Sequence, residues 1–293
     1  MTDRFRDKIW PVTVILIGFL AAWYVGSYAM NAPFQRDLDR RAGETPGFAQ
    51  FVVKTMTQPK PTLPAPHQVA QSFFENTFLR KVTSNRSLVY HAGVTLSSTL
   101  AGFAIGTLLG ILIAVGIVHV TALDRSLMPW IITSQTIPIL ALAPMIIVVL
   151  AAIGITGLLP KALISTYLSF FPVAVGMVKG LRSPDVLHLD LMRTYNASRW
   201  ETFWKLRLPA SVPFLFASMK VAVAASLVGA IVGELPTGAV AGIGAKLLNG
   251  SYYSQTIDMF SALVAGSIVA ALLVAAVGIV GRLVERGMGG RPA

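Results

Sequence analysis

The sequence contains no cysteine and little charge. The absence of Cys from its 293 residues excludes disulfides, thiolate metal sites and cysteine nucleophiles, whichever compartment the chain faces. Only 13% of the residues are Asp, Glu, Lys or Arg, whereas a typical soluble domain has about 25%. A water-soluble core of this size cannot hide the 54% of residues that are hydrophobic, because more than half of any folded surface is already apolar. The composition therefore predicts a chain that is solvated by a lipid bilayer.

The charges that are present are mostly basic. Lys and Arg outnumber Asp and Glu by 24 to 13, which gives a formal net charge of +11. In a soluble protein this surplus would suggest nucleic acid, but the cytoplasmic loops of membrane proteins also collect Lys and Arg. We therefore expect membrane lipid and no nucleic acid among the partners of this chain.

Long stretches without charge show where the chain crosses the membrane. A spanning helix needs about 20 apolar residues, and a charge at its centre is costly. Because strand-like alternation is absent and open sheets are not stable in lipid, the fold class is all-α: a polytopic membrane bundle of about six helices. We read the first helix as retained rather than as a cleaved signal peptide, since its apolar run is long. The predicted spans are 10–30, 96–118, 127–153, 162–178, 212–235 and 259–281.

The distribution of Lys and Arg over the short loops predicts the orientation. It places both termini on the cytoplasmic side of a multi-pass membrane protein. Residues 1–30 are then an N-terminal transmembrane helix, and 31–89 form an external, periplasmic insertion with a proline-rich spacer at 60–66 and a short amphipathic helix at 69–80. Residues 90–285 are the core, and 286–293 are a cytoplasmic tail.

A polar segment between the fourth and fifth spans predicts a helix, a turn and a second helix. The first helix runs from Asp185 to Tyr195, and Asn196 ends it because Asn tolerates the left-handed backbone conformation. Ser198, followed three residues later by Glu, is a capping box that begins the second helix. We expect Pro209 to stop that helix.

Two interpretations of this segment remain open. Its apolar side chains and basic residues are typical of an amphipathic helix pair that rests on anionic lipid. Alternatively, they form a docking surface for a cytoplasmic partner. The apolar side chains expected to be exposed are Leu191, Tyr195, Trp200, Phe203 and Trp204.

The same segment resembles the coupling motif of one family. Asp190-Leu191-Met192, three residues, Asn196, nine residues and Leu206-Arg207-Leu208-Pro209 are similar to the E-A-A, G, I-x-L-P pattern of the permease subunits of bacterial ATP-binding-cassette importers. Asp stands in place of Glu and Asn in place of Gly, and both substitutes keep the chemistry. The continuation 209–213 and the upstream segment 137–144 resemble the permeases of nitrate, sulfonate and taurine importers.

The resemblance implies a type I importer permease of the bacterial inner membrane that is a transport subunit and not an enzyme, with no catalytic residue, metal or cofactor. The implied partners are cytoplasmic ATP-binding subunits, a periplasmic or lipid-anchored solute-binding protein, and a second permease subunit in a homodimer or heterodimer. The coupling segment is 183–210, in which Asp190 would contact the ATPase while Asn196, Leu208 and Pro209 shape the surface. The solute would be small, of the nitrate, sulfonate and taurine type or a pyrimidine or vitamin precursor.

Two groups of residues within the spans are candidates for packing and for the substrate path. Gly102, Gly106 and Gly110 recur every four residues, which permits close contact between helices in one chain or, alternatively, between two permeases. Polar groups beside a proline in a span are expected to face a cavity or another helix. The path candidates are Thr133, Ser134, Gln135, Thr136 and, at the outer end of the fifth span, Glu234, which could equally be an interface residue.

An ion-gradient-driven secondary transporter is the alternative function. Such a protein is expected to carry ionisable residues within its spans or an internal repeat, and only Lys220 and Glu234, both near span ends, qualify. An intramembrane enzyme is disfavoured, because the four histidines are widely spaced and no H-E-x-x-H pattern occurs. The chain also lacks a phosphate-binding G-x-x-x-x-G-K-[ST] loop, so ATP would have to bind to another chain.

Overall fold

The computed structural model describes residues 2–236 and 239–288, with side chains from residue 10 onward. Residues 289–293 of the expected cytoplasmic tail lie outside this range. All regular structure within the described residues is helical, in agreement with the predicted all-α membrane bundle. The helices are α1 Thr2–Ala42, α2 Phe48–Met56, α3 Pro66–Phe74, α4 Leu88–His119, α5 Thr121–Ser134, α6 Ile139–Ala152, α7 Leu158–Leu181, α8 Val186–Thr194, α9 Arg199–Thr202, α10 Leu208–Glu234, α11 Ile243–Tyr252 and α12 Thr256–Gly287. Two π-helical turns, Glu75–Leu79 and Phe203–Arg207, follow α3 and α9.

Five of the described helices are long and apolar enough to cross a membrane. The third predicted span is not one helix: α5 and α6 meet at a bend of 98°, and they provide a sixth span if the pair is counted as one. The bend lies at Pro138, which has no N–H to donate and disfavours helical geometry at Ile137 before it. The predicted span over 127–153 is therefore present as two helices with a sharp break at the proline.

Helix α1 does not end at Met30, as the apolar pattern suggested, but continues to Ala42. Its second half remains helical because a stripe of polar side chains, spaced four residues apart, is buried against other parts of the chain. The stripe consists of Ser27, Asn31, Gln35 and Asp39.

The chain divides into two compact units, and the first comprises residues 1–90 and 246–265. In this unit the proline-rich spacer is fixed to α1 by side-chain hydrogen bonds. Asn31 Oδ1 accepts from the backbone N–H groups of Thr62 and Leu63 at 2.8 and 3.2 Å, and Asn31 Nδ2 donates to Leu63 O at 2.8 Å. The spacer is therefore held in place, and the expected helix after it is present as α3 and the π-helical turn.

The second unit comprises residues 91–245 and 266–293, and small residues bring its helices together. A Cβ added to Gly110 of α4 would lie 2.8 Å from Phe170 O of α7, and one added to Gly102 would lie 2.7 Å from Ala162 O. Such close approach lets Thr166 Oγ1 donate to Gly102 O at 3.2 Å. Within this unit the glycines of α4 therefore pack against α7, as the four-residue spacing allows.

Candidate functional site

The hairpin, residues 183–207, has the predicted helix, turn and helix. Asp185 adopts an extended conformation before α8, and Asn196 has φ of 51°, the left-handed conformation expected for it. The backbone N–H of Ala197 donates to Met192 O at 2.9 Å, which closes the end of α8. The turn is thus built from local sequence signals.

The second helix of the hairpin begins with the predicted capping box. Glu201 N donates to Ser198 Oγ at 3.2 Å, Ser198 N donates to Glu201 Oε2 at 2.9 Å, and Lys205 Nζ donates to Glu201 Oε1 at 3.0 Å. The hydrogen bond from the Ser198 backbone, followed by that from Lys205, lowers the pKa of Glu201 to about 2. The carboxylate is therefore ionised at neutral pH and organises the start of α9.

Pro209 does not stop this helix, so the expected boundary is wrong. The helical path continues from α9 through Phe203–Arg207 into α10, over Arg199–Glu234. The N–H of Leu208 donates to Phe203 O, five residues earlier, so the turn before Pro209 is wider than an α-helical one. A proline ring normally clashes with the carbonyl four residues before it, and the wider turn accommodates the ring. The second arm of the hairpin and the membrane helix α10 therefore form one continuous helical path.

The hairpin exposes large apolar side chains on both of its helical arms. Each of them is at least half exposed among the described residues. They are Val186, Leu187, Leu191, Tyr195, Trp200 and Trp204. Exposed apolar side chains concentrated in one short element are typical of an interaction surface.

Phe203, in contrast, is buried and fixes the hairpin to the bundle. Its side chain is only 5% exposed and belongs to a cluster that includes Ile117 of α4 and Met177 of α7. The expectation that Phe203 is exposed is wrong, because its ring packs against distant segments, including His119 at the end of α4, whose ring centroid lies 5.0 Å away. We call this contact the joint.

Two polar contacts strengthen the joint. Arg207 Nη1 donates to Leu181 O at 3.2 Å, and Arg182 Nη2 lies 2.9 Å from Asp124 Oδ2 of α5. Sequence reasoning missed both, because each pairs segments that are distant in the chain. Phe203 and Arg207 thus attach the hairpin to the bundle, and the ion pair of Arg182 fixes the end of α7, directly before the hairpin, to α5.

The residues of the coupling motif lie on the hairpin and at the start of α10, in different environments. Asp190 is exposed and forms an ion pair with Arg193 at 2.8 Å within α8. Leu191 is exposed, whereas Met192 and, at the other end of the motif, Leu206, Leu208 and Pro209 are partly buried. Only the first part of the motif therefore presents side chains to a partner.

The polar path candidates lie at the bend between α5 and α6. Ser134 Oγ donates to Ile131 O and Thr136 Oγ1 to Thr133 O, so these hydroxyls satisfy carbonyls at the end of α5. Tyr167 of α7 donates its hydroxyl to Ser134 O. Ser134 and Gln135 are half-buried, and the two threonines are exposed. The bend therefore carries polar backbone and side-chain groups at a break in the helix.

Glu234 is separate from that bend and is fully buried. Its two carboxylate oxygens each lie 2.9 Å from Thr95 Oγ1 of α4, and Oε2 also accepts from Gly244 N at 2.9 Å. His91 Nδ1 accepts from Gly242 N at 3.0 Å beside it. This geometry favours a structural role, in which Glu234 holds the 242–244 turn against α4, over a place in the substrate path.

The helices, the bend and the hairpin define a multi-pass helical membrane protein with an exposed apolar hairpin between two of its membrane helices. The chain matches the family described as "Binding-protein-dependent transport system inner membrane component" over residues 106–290. It belongs to this family of transporter permeases.

Curated relatives agree with this assignment. A probable ABC transporter permease of Haemophilus influenzae is 30% identical over 214 residues, which are 73% of this chain and 82% of that protein. The riboflavin transport system permease protein RibX of Chloroflexus aurantiacus is 29% identical, over 82% of this chain and 85% of its own length. The nitrate import permease protein NrtB of Leptolyngbya laminosa is 27% identical, over 73% and 76%.

Proposed function

We propose that this chain is the permease subunit of an ATP-driven importer and that the hairpin couples it to a separate ATPase in the cytoplasm. A solute-binding protein on the other side of the membrane delivers a small solute. The single observation that carries the proposal is the group of exposed apolar side chains on the hairpin, here called the docking face, on an element whose second arm continues into α10.

The mechanical requirement is that displacement of the docking face reaches the membrane helices. A flexible connector would absorb the movement, but here Arg199–Glu234 forms one helical path and Phe203 anchors it between α4 and α7. Movement of α8 and α9 by a nucleotide-dependent closure of the partner is thereby passed to α10. The chain itself has no phosphate-binding loop, so in this proposal another subunit binds and hydrolyses ATP.

The solute class follows the relatives. Their names specify riboflavin, formylaminopyrimidine, nitrate and aliphatic sulfonates, so we propose a small solute of these types. The bend at Thr133–Thr136 is the best candidate for the path, because its polar groups lie at a break within the apolar span. The permease would act as a dimer with a copy of itself or with a sister chain.

Association with the ATPase tests the docking face directly. The substitution Leu191→Glu puts a charge at an exposed apolar position of the hairpin, and we expect at least about tenfold weaker co-purification of the ATPase, as for a central interface residue. Val82→Glu, at an equally exposed position in the first unit, is the matched control and should bind normally. Equal binding by both variants would contradict the proposal.

The joint is tested with a second pair of variants. Phe203→Ala removes a buried ring, whereas Trp204→Ala removes the exposed neighbour. We expect Phe203→Ala to keep the ATPase bound but to lose ATP-driven uptake in proteoliposomes, and Trp204→Ala to weaken ATPase binding. Uptake by the purified chain without any ATPase would support the ion-driven alternative instead.

A further inference from the structure

The first unit contains a polar cleft of about 690 Å³ that the proposed coupling mechanism does not use. Its walls come from the spacer, α3 with its π-helical turn, the segment before α4, and α11 and the start of α12. Four basic side chains line it, Lys60, Arg80, Arg86 and Lys246, against two acidic ones, Glu75 and Asp258.

The basic side chains of the cleft lack ionic partners. Among the described residues none of these four forms an ion pair. Elsewhere in the same unit the pattern is different: Lys54 lies 3.3 Å from Asp39 and also contacts Glu44. The cleft is therefore a local concentration of uncompensated positive charge.

The two acidic side chains of the cleft are already engaged by neutral groups. Asp258 Oδ1 accepts from Ser72 Oγ at 2.9 Å and from Asn76 Nδ2 at 3.2 Å, and Glu75 Oε1 accepts from Gln71 Nε2 at 2.9 Å. These bonds hold the carboxylates along the cleft wall and leave the cations to face an incoming group.

The cleft is held in shape before anything binds. Gln68 Nε2 donates to Gln58 O at 2.9 Å, and Thr256 Oγ1 donates to Pro61 O at 2.6 Å. Behind the wall, Leu88 packs with Ala262 in a buried apolar cluster. Preformed geometry lowers the entropic cost of binding a partner.

We propose that this cleft receives an acidic surface of the external solute-binding protein. Charge complementarity argues for an anionic occupant, and three of the four cations are exposed at the rim, which suits a protein surface. Small-ligand pockets are instead mostly apolar and enclose their ligand. In the proposed topology, residues 31–89 and the loop that carries Lys246 both face outward. The inference rests on the proposed importer function and adds the place and chemistry of the external contact.

The position of the cleft cations in the sequence would also make the contact specific to one binding protein. The cations Lys60, Arg80 and Arg86 precede residue 106, where the family match begins. Recognition through them would therefore distinguish the binding protein of this system from those of relatives that differ in this part of the chain.

The test uses the permease and ATPase complex in nanodiscs, with the binding protein of its transport system as the probe. The double charge reversal Arg80→Glu/Arg86→Glu should weaken binding about tenfold in dilute salt and less at high ionic strength, since rim charges act mainly through screened long-range attraction. Arg80→Lys/Arg86→Lys should bind like the parent, and Arg41→Glu, which removes an exposed cation outside the cleft, is the matched control.

The outcomes separate this inference from the function on which it rests. Reduced binding of the cleft variant, with ATPase association unchanged, supports the cleft as the contact. Equal binding by parent and cleft variant overturns the inference and leaves the importer function standing. Failure of the parent complex to bind the binding protein counts against the proposed function itself. A third result is possible for the cleft variant: it binds nitrate or sulfate less well than the parent complex does, while its affinity for the binding protein is unchanged. That result overturns the inference in favour of a small-anion site.

Discussion

The two units of this protein are stabilised by different kinds of contact. In the second unit, glycines let α4 approach α7 so closely that backbone and side chains touch directly. In the first unit, polar side chains of α1 bind the backbone of an irregular spacer. The difference follows from the surroundings: in lipid, helices gain most from close packing, whereas an irregular segment needs hydrogen-bond partners for its backbone. A different kind of substitution is therefore expected to destabilise each unit.

The largest effect is expected from overfilling the glycine contact. In Gly106→Leu, the new side chain meets the Ser169 side chain and the backbone of α7, and we expect a loss of about 3 kcal/mol, as for severe overpacking. Thermal unfolding of the detergent-solubilised protein measures this loss. Gly18→Leu on α1, where nothing lies within 4 Å of an added Cβ, is the control and should unfold like the parent. Equal destabilisation of both variants would mean that the contact with α7 is not the cause.

A smaller effect is expected in the first unit from Asn31→Ala. The substitution leaves the N–H groups of Thr62 and Leu63 without their acceptor, and we expect about 2 kcal/mol of destabilisation. Hydrogen exchange of these two amides should become fast. Met30→Ala, at the exposed neighbouring position, should leave them protected. Slow exchange of both amides in Asn31→Ala would show that the spacer is held by something else.

Features were predicted correctly where the interacting residues are close together in the sequence, and were missed where they are far apart in the sequence. The hairpin turn at Asn196 and the Ser198 capping box were predicted, because both are encoded by residues within four positions of each other. The continuation of α1 and the burial of Phe203 were not, because each depends on contacts with distant segments. Pro209 was misjudged for a related reason, since the π-helical turn that accommodates it leaves no simple sequence signal.

The smallest effect is expected in the hairpin, where the capping box stabilises only the start of α9. Because the capping box depresses the pKa of Glu201 to about 2 from an ordinary 4.5, its contribution to the order of α9 is complete above the ordinary pKa and disappears as the pH falls through about 2. In Ser198→Ala the side-chain half of the box is lost, and the carboxyl should titrate closer to 4.5. Carboxyl carbon NMR of selectively labelled Glu201 measures the midpoint. Lys205→Gln should raise it as well, and an unchanged midpoint in both variants would contradict the cap.

The π-helical turn Phe203–Arg207 also determines how the second arm of the hairpin is rotated about the axis of α10. One residue corresponds to about 100° of rotation in an α-helix, so removing a single residue there would swing Trp200 round by that angle relative to α10. Insertions or deletions in these five positions would therefore rotate the hairpin about the axis of α10. The length of this short stretch thus determines the direction in which the permease presents the hairpin.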